Sequence, residues 1–83
     1  MKIKVLGPGC AKCKQLYAQA ERAVASSSVP VELEKVEKIE EILTYGVMLT
    51  PSLVIDGEVK ASGRVVPASE IASWIAAAAR ETP

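Results

Sequence analysis

Leu6-Gly7-Pro8-Gly9-Cys10-Ala11-Lys12-Cys13-Lys14 decides how the rest of the chain reads. A glycine-proline-glycine turn stands between a lysine-punctuated apolar run and two cysteines, which are the only cysteines of the chain. Before the turn, Ile3, Val5 and Leu6 alternate with Lys2 and Lys4, a period of two that predicts a strand over 2–6. After it, Cys13, Leu16, Tyr17, Ala20 and Val24 recur every three or four residues, which predicts a helix from Cys10 to about Ala25. The cysteines therefore sit on a strand-to-helix turn. Cys10 is at the helix start, and Cys13, one turn further in, faces the buried side.

Working outward, Ser26-Ser27-Ser28 reads as a short loop. Val31 to Val36 again alternates with period two. Its charged face suits an edge strand, where charge discourages pairing with another molecule. Glu37 to Tyr45 carries Ile39, Ile42 and Leu43 at helical spacing, so a short amphipathic helix is expected, with its charge run as a solvated face and Gly46 as the residue that ends it. After Val47-Met48-Leu49-Thr50-Pro51, the residues Ser52–Ile55, Asp56-Gly57 and Glu58–Ser62 read as strand, two-residue turn and returning strand. Met48 either lines a groove or packs. Pro67 suits the first turn of a last helix, whose buried stripe is Ile71, Trp74, Ile75 and Ala78, with the tail from Glu81 expected to fray. The order is βαβ-α-ββα. The first two strands, joined through a helix, should be parallel with a right-handed crossover, and the last two antiparallel. This is an α/β fold, a four-stranded mixed sheet flanked by three helices, in one domain spanning residues 1–83.

Composition narrows the function. The chain has 83 residues, of which 49% are hydrophobic, the mark of a small globular domain. Ten basic and ten acidic residues cancel, without a run of like charges that would suit nucleic acid or an anionic membrane. The absence of histidine removes the usual general base and the commonest metal ligand. No apolar stretch is long enough for a signal-peptide core or a membrane span, so a cytoplasmic monomer is expected. In a reducing compartment, two closely spaced cysteines point to catalysis or metal binding rather than to a permanent staple.

The spacing carries a mechanism. A cysteine at a helix N-cap accepts hydrogen bonds from the free first-turn N–H groups and feels the positive end of the helix dipole. Both favour the thiolate, and Lys12 and Lys14 add positive potential. Cys10 is then the nucleophile: it attacks a substrate disulfide and forms a mixed disulfide. Cys13 resolves that species, leaving Cys10–Cys13 oxidised until a separate reductant restores the dithiol. No cofactor is needed beyond the disulfide. Cys13 needs help to lose its proton, yet no acidic residue precedes Glu21, so either a carboxylate from elsewhere in the chain or water alone serves it. Two other readings use the same pair. One is a dithiolate that binds a metal or metalloid, across a dimer in the case of a four-cysteine zinc site, since one chain lacks the partners for it. The other is a redox-gated interaction domain.

Taken together, Gly7-Pro8-Gly9-Cys10-Ala11-Lys12-Cys13, Tyr45-Gly46-Val47-Met48-Leu49-Thr50-Pro51, Val54-Ile55-Asp56-Gly57 and Ser62-Gly63-Arg64 resemble the thioredoxin fold, and within it the small thioredoxin-like redox-active disulfide proteins of archaea and bacteria. The resemblance spans essentially the whole chain. It implies a protein-disulfide reductase whose substrates are protein disulfides and whose electron donor is a thioredoxin-reductase-like or other dithiol protein. It also implies that Pro51 is a cis-proline beside the disulfide, that the Thr50 backbone pairs with extended substrate chain, and that Gly63 keeps the groove rim open. The chain departs from ordinary thioredoxins in having Gly9 in place of the tryptophan before the first cysteine, Ala11-Lys12 in place of Gly-Pro, and no aspartate on the leading strand. Arg64-Val65-Val66-Pro67 lacks the acidic residue with which glutaredoxins hold the glutathione amine, which favours a protein dithiol route.

Overall fold

The alternation at the N-terminus forms strand β1 (Lys2–Leu6), and the cysteine-bearing helical pattern forms α1 (Ala11–Ala25). In this computed structural model, which describes residues 1–81, the chain continues through β2 (Glu32–Val36), α2 (Ile39–Leu43), β3 (Ser52–Ile55), β4 (Glu58–Ser62) and α3 (Ala68–Glu81). Of the tail expected to fray from Glu81, Glu81 itself is the last residue of α3, and residues 82–83 lie outside those described.

The sheet order is β2-β1-β3-β4. β1 runs parallel to β2, with Val5 opposite Lys35, and antiparallel to β3, with Val5 opposite Leu53. β2 is an edge strand, as its charges suggest. The β3–β4 hairpin turns at Asp56 and Gly57, whose positive φ angles of 47° and 84° are those of a turn whose twist matches paired strands. The register shifts between Leu53 and Val54, which pair with Ala61 and Val59 and leave Lys60 as a bulge.

Because β1 and β3 are central, both of their faces are covered. Ile3 and Val5 join Leu16, Ala20, Leu53, Ile55, Ile71 and Ile75 in the larger core beneath α1 and α3. Leu6 and Val54 point the other way, into a smaller core with Val36, Ile42 and Val47 beneath α2. All four residues of β3 are buried, which is why that strand reads as an apolar run without clean alternation. The start of α3 is tied to α1: the Ala68 N–H donates to Gln19 Oε1 at 3.0 Å, while the Pro67 carbonyl accepts from Ile71 N at 3.2 Å. Pro67 thus stands one residue before the helix.

Three expectations need correction. α2 spans five residues rather than Glu37 to Tyr45. Glu37 and Lys38 stay outside it, and at its end Thr44, Tyr45 and Gly46 donate to the carbonyls three residues back, so the last turn tightens and closes on Gly46 at φ 74°. So short a helix turns one apolar side chain inward. Ile42 is buried, whereas Ile39 and Leu43 are 55% and 62% exposed. Trp74 is only partly buried, packed on the margin of the larger core, because the inner line of α3 is occupied by Ile71 and Ile75.

Candidate active site

β1 delivers the chain into the site. Beyond its last residue, Gly7 N–H still donates to the Val36 carbonyl at 2.9 Å, so the strand pairing holds the turn down until Pro8. Gly9 then takes φ 93°, a conformation that favours glycine, and sends the chain into α1. Cys10 is the N-cap, in extended geometry, and its Sγ accepts a hydrogen bond from the Cys13 N–H at 3.3 Å. Its carbonyl accepts the first helical bond, from Lys14 N at 3.0 Å. A cysteine sulfur therefore does at this helix start what a serine or aspartate oxygen usually does.

Cys10 and Cys13 are joined in a disulfide, with their Cα atoms 5.0 Å apart. The two sulfurs are unequal in access: Cys10 is exposed, while Cys13 is 5% exposed. The first turn of α1 holds no acidic residue. Lys12 and Lys14 both lie exposed on that turn, which is the positive end of the helix that Cys10 caps.

The opposite wall comes from the loop before β3. The Thr50–Pro51 peptide bond is cis, Pro51 is buried, and Thr50 is exposed. Gly7 is the spacer between this wall and the disulfide. A Cβ built there would run into Cys13 Sγ, lie 3.2 Å from Cys13 Cβ, and stand 3.9 Å from Pro51 Cα. The loop is held from behind by groups that the sequence pattern did not single out. Ser52 Oγ, on a fully buried residue, donates to the Leu49 carbonyl at 2.6 Å, and Ser62 Oγ donates to the same carbonyl at 3.2 Å. Gly63 N–H donates to the Pro51 carbonyl at 2.8 Å. Gly63 has φ 76°, and a Cβ on it would stand 3.1 Å from the Leu49 side chain. A serine replacing an apolar residue inside a buried strand was the available signal for this staple, since a buried hydroxyl must find a partner. Met48, for which packing was one expectation, is 96% exposed, and with Leu49 it forms an apolar tip on the loop.

Lys4, on the strand leading into the motif, is turned away from the disulfide. Its Nζ donates to Tyr45 Oη at 2.6 Å on the α2 side of the sheet, and this bond raises the Lys4 pKa above the ordinary 10.5. On the other side, next to Cys13, lies a cavity of about 70 Å³ whose wall includes Val5, Tyr17, Lys35 and Glu37. The Lys35 ammonium sits 4.5 Å from the centre of the Tyr17 ring. Glu37, expected within a helix on its solvated face, is exposed but stands before the helix, with its Oε2 beside the cysteine turn. Among the described residues, no group of three or more Cys, Asp or Glu side chains is placed to hold a metal ion. No helix among them is long and apolar enough to cross a membrane.

Comparison with known proteins gives a consistent picture. A family described as "Thioredoxin domain" matches residues 1–76. A protein named "Thioredoxin" from Methanothermobacter thermautotrophicus is 41% identical over 71 residues, covering 86% of this chain and 92% of that relative. Another protein of that name, from Methanocaldococcus jannaschii, is 32% identical over 69 residues, covering 83% of this chain and 79% of its own length.

Proposed function

The chain belongs to the thioredoxin family, and from that premise we infer that it is a thiol-disulfide oxidoreductase acting on protein disulfides through Cys10 and Cys13. The observation that carries the reading is the inequality of the two sulfurs. One is exposed at a helix N-cap and receives an N–H bond; the other is buried behind it within disulfide reach.

In the proposed cycle, the Cys10 thiolate attacks one sulfur of a substrate disulfide. A Cys10–substrate bond forms, and the substrate's other sulfur leaves as a thiolate. Cys13 then attacks Cys10 Sγ. The Cys10–Cys13 bond forms, the Cys10–substrate bond breaks, and the second substrate sulfur leaves with its electron pair. The protein has lost two electrons and the substrate has gained them. The helix end and Lys12 favour the Cys10 thiolate both as attacking group and, in the return half-cycle, as leaving group. Extended substrate chain is held against the Thr50 backbone beside Pro51 as an added strand, with Gly63 at the groove rim. A dithiol protein of the thioredoxin-reductase kind restores the Cys10–Cys13 pair, and the cycle uses no further cofactor. The working state is a cytoplasmic monomer. The charged edge of β2, with Glu32, Glu34 and Lys35, supports this by opposing strand-to-strand association.

The test is redox titration in defined thiol buffers together with a protein-disulfide reduction assay. A single two-electron transition and turnover that disappears in Cys10→Ser are expected. Full turnover in that variant contradicts the reading, as does the lack of a reversible disulfide. A stable stoichiometry of one metal ion per two chains would transfer the pair to the metal-binding reading.

A further inference from the structure

If Cys13 resolves the mixed disulfide, its proton must go somewhere. Burial disfavours a thiolate, and only the thiolate attacks. Cys13 is 5% exposed, and β1 brings it no carboxylate: Lys4 is bonded to Tyr45 on the far face, and Val5 lines the cavity beside Cys13. The structure supplies one from the connection just beyond β2. After β2 the chain stays extended through Lys38, with ψ 127°, before α2 begins. This lets the Glu37 side chain lie back over the turn that precedes Cys10. Its Oε2 is 3.4 Å from where a Cβ on Gly9 would stand. Glu37 and Cys13 thus share the walls of the same cavity of about 70 Å³. A water molecule needs only about 10–15 Å³ of such space and two or more polar partners, so the cavity has room for a short water bridge.

We propose that Glu37 accepts the proton of Cys13 through water in this cavity. The inference rests on the assignment of Cys13 as the resolving cysteine. The ionisable groups facing the cavity are Lys14 and Tyr17 from α1, Lys35 at the end of β2, and Glu37 itself, while β1 and the turn contribute Val5, Gly7 and Gly9. A lysine ammonium has no lone pair to accept a proton, and a phenol is a poor base. The carboxylate is the proton acceptor of the set. In the step, the Cys13 S–H proton passes to a cavity water while that water gives a proton to Glu37. The Cys13 thiolate so formed attacks Cys10 Sγ, and the substrate thiolate departs. In the return half-cycle, Glu37 returns its proton to Cys13 as that sulfur leaves.

Stopped-flow reaction of the reduced protein with a chromogenic aromatic disulfide separates the two steps. The first coloured thiolate is released when Cys10 attacks and the second when Cys13 resolves. Glu37→Gln is expected to slow the second release at least about tenfold at neutral pH while the first is retained. The deficit should close as the pH rises and solvent base takes over, and Glu37→Asp should recover part of the rate. A carboxylate acting only as a nearby negative charge gives the opposite sign, because removing it eases formation of the Cys13 thiolate and speeds the second release. An unchanged or faster second release in Glu37→Gln overturns the proposal, as does equal slowing of both releases, which would mark a structural role. If the wild-type protein releases no first equivalent, or Cys10→Ser releases it equally well, the assignment of the cysteines fails instead.

Discussion

Lys4 shows how one residue's position on a strand separates structure from chemistry. It stands next to Val5, but alternation turns it to the α2 face, where its ammonium donates to Tyr45. That bond is the first cause of its raised pKa, with the charges of Glu34 and Glu41 contributing less. A lysine whose folded-state pKa is raised stabilises the fold fully below its unfolded value, and the contribution is lost as pH rises through the folded value. The difference in urea midpoint between wild type and Lys4→Met is therefore expected to stay constant below about 10.5 and to shrink above it. A difference that persists unchanged at higher pH contradicts this account of the pair. At the same scale, the cysteines were legible from their spacing, because a strand, a glycine-rich turn and a helical pattern together place one sulfur at a cap and one inside. Glu37 was not legible. Its neighbours Ile39, Ile42 and Leu43 have helical spacing, and only the extended backbone at Lys38 shows that the carboxylate lies before the helix and reaches back to Gly9.

At the scale of elements, the site is a junction of β1, α1 and the loop before β3, and Gly7 is where the three come closest. A methyl group there has no free space, since Cys13 Sγ and Cβ occupy one side and Pro51 the other. The disulfide is covalently tied to α1, and the loop is fixed by Ser52, Ser62 and Gly63, so neither wall yields cheaply. Gly7→Ala is expected to cost about 1–3 kcal/mol in denaturant unfolding, the usual range for overpacking a close-packed interior. A loss well below 1 kcal/mol would mean that the junction is looser than the contacts indicate. The elements with strong periodicity were read correctly from sequence, namely β1, α1 and the Asp56-Gly57 hairpin. The length of α2 was not, because pattern alone treats Ile39, Ile42 and Leu43 as one buried face, whereas the smaller core has room for Ile42. Trp74 follows the same rule: its spacing on α3 is right, but the centre of the contact is already filled by Ile71 and Ile75. The bond from Ala68 to the Gln19 side chain joins residues far apart in sequence, a kind of pairing that no local pattern encodes.

At the scale of the whole molecule, the sheet makes the chemistry asymmetric. Two helices and the larger core lie on one face, the short α2 and the smaller core on the other, and β1 runs between them to carry the cysteine turn to the sheet's end. The wall opposite the cysteines comes from some forty residues further along, so the site exists only when β1 and β3 are paired. This arrangement leaves Cys10 open to an incoming disulfide and shields Cys13 from it. The most direct measurement of that claim is mass spectrometry of covalent adducts formed when Cys13→Ser and Cys10→Ser are each mixed with a disulfide-bonded protein substrate. Cys13→Ser is predicted to accumulate a stable mixed disulfide through Cys10, and Cys10→Ser to form almost none. Equal adduct on Cys13 in the Cys10→Ser protein, or no adduct on Cys10 in the other, would contradict the division of labour between the two sulfurs.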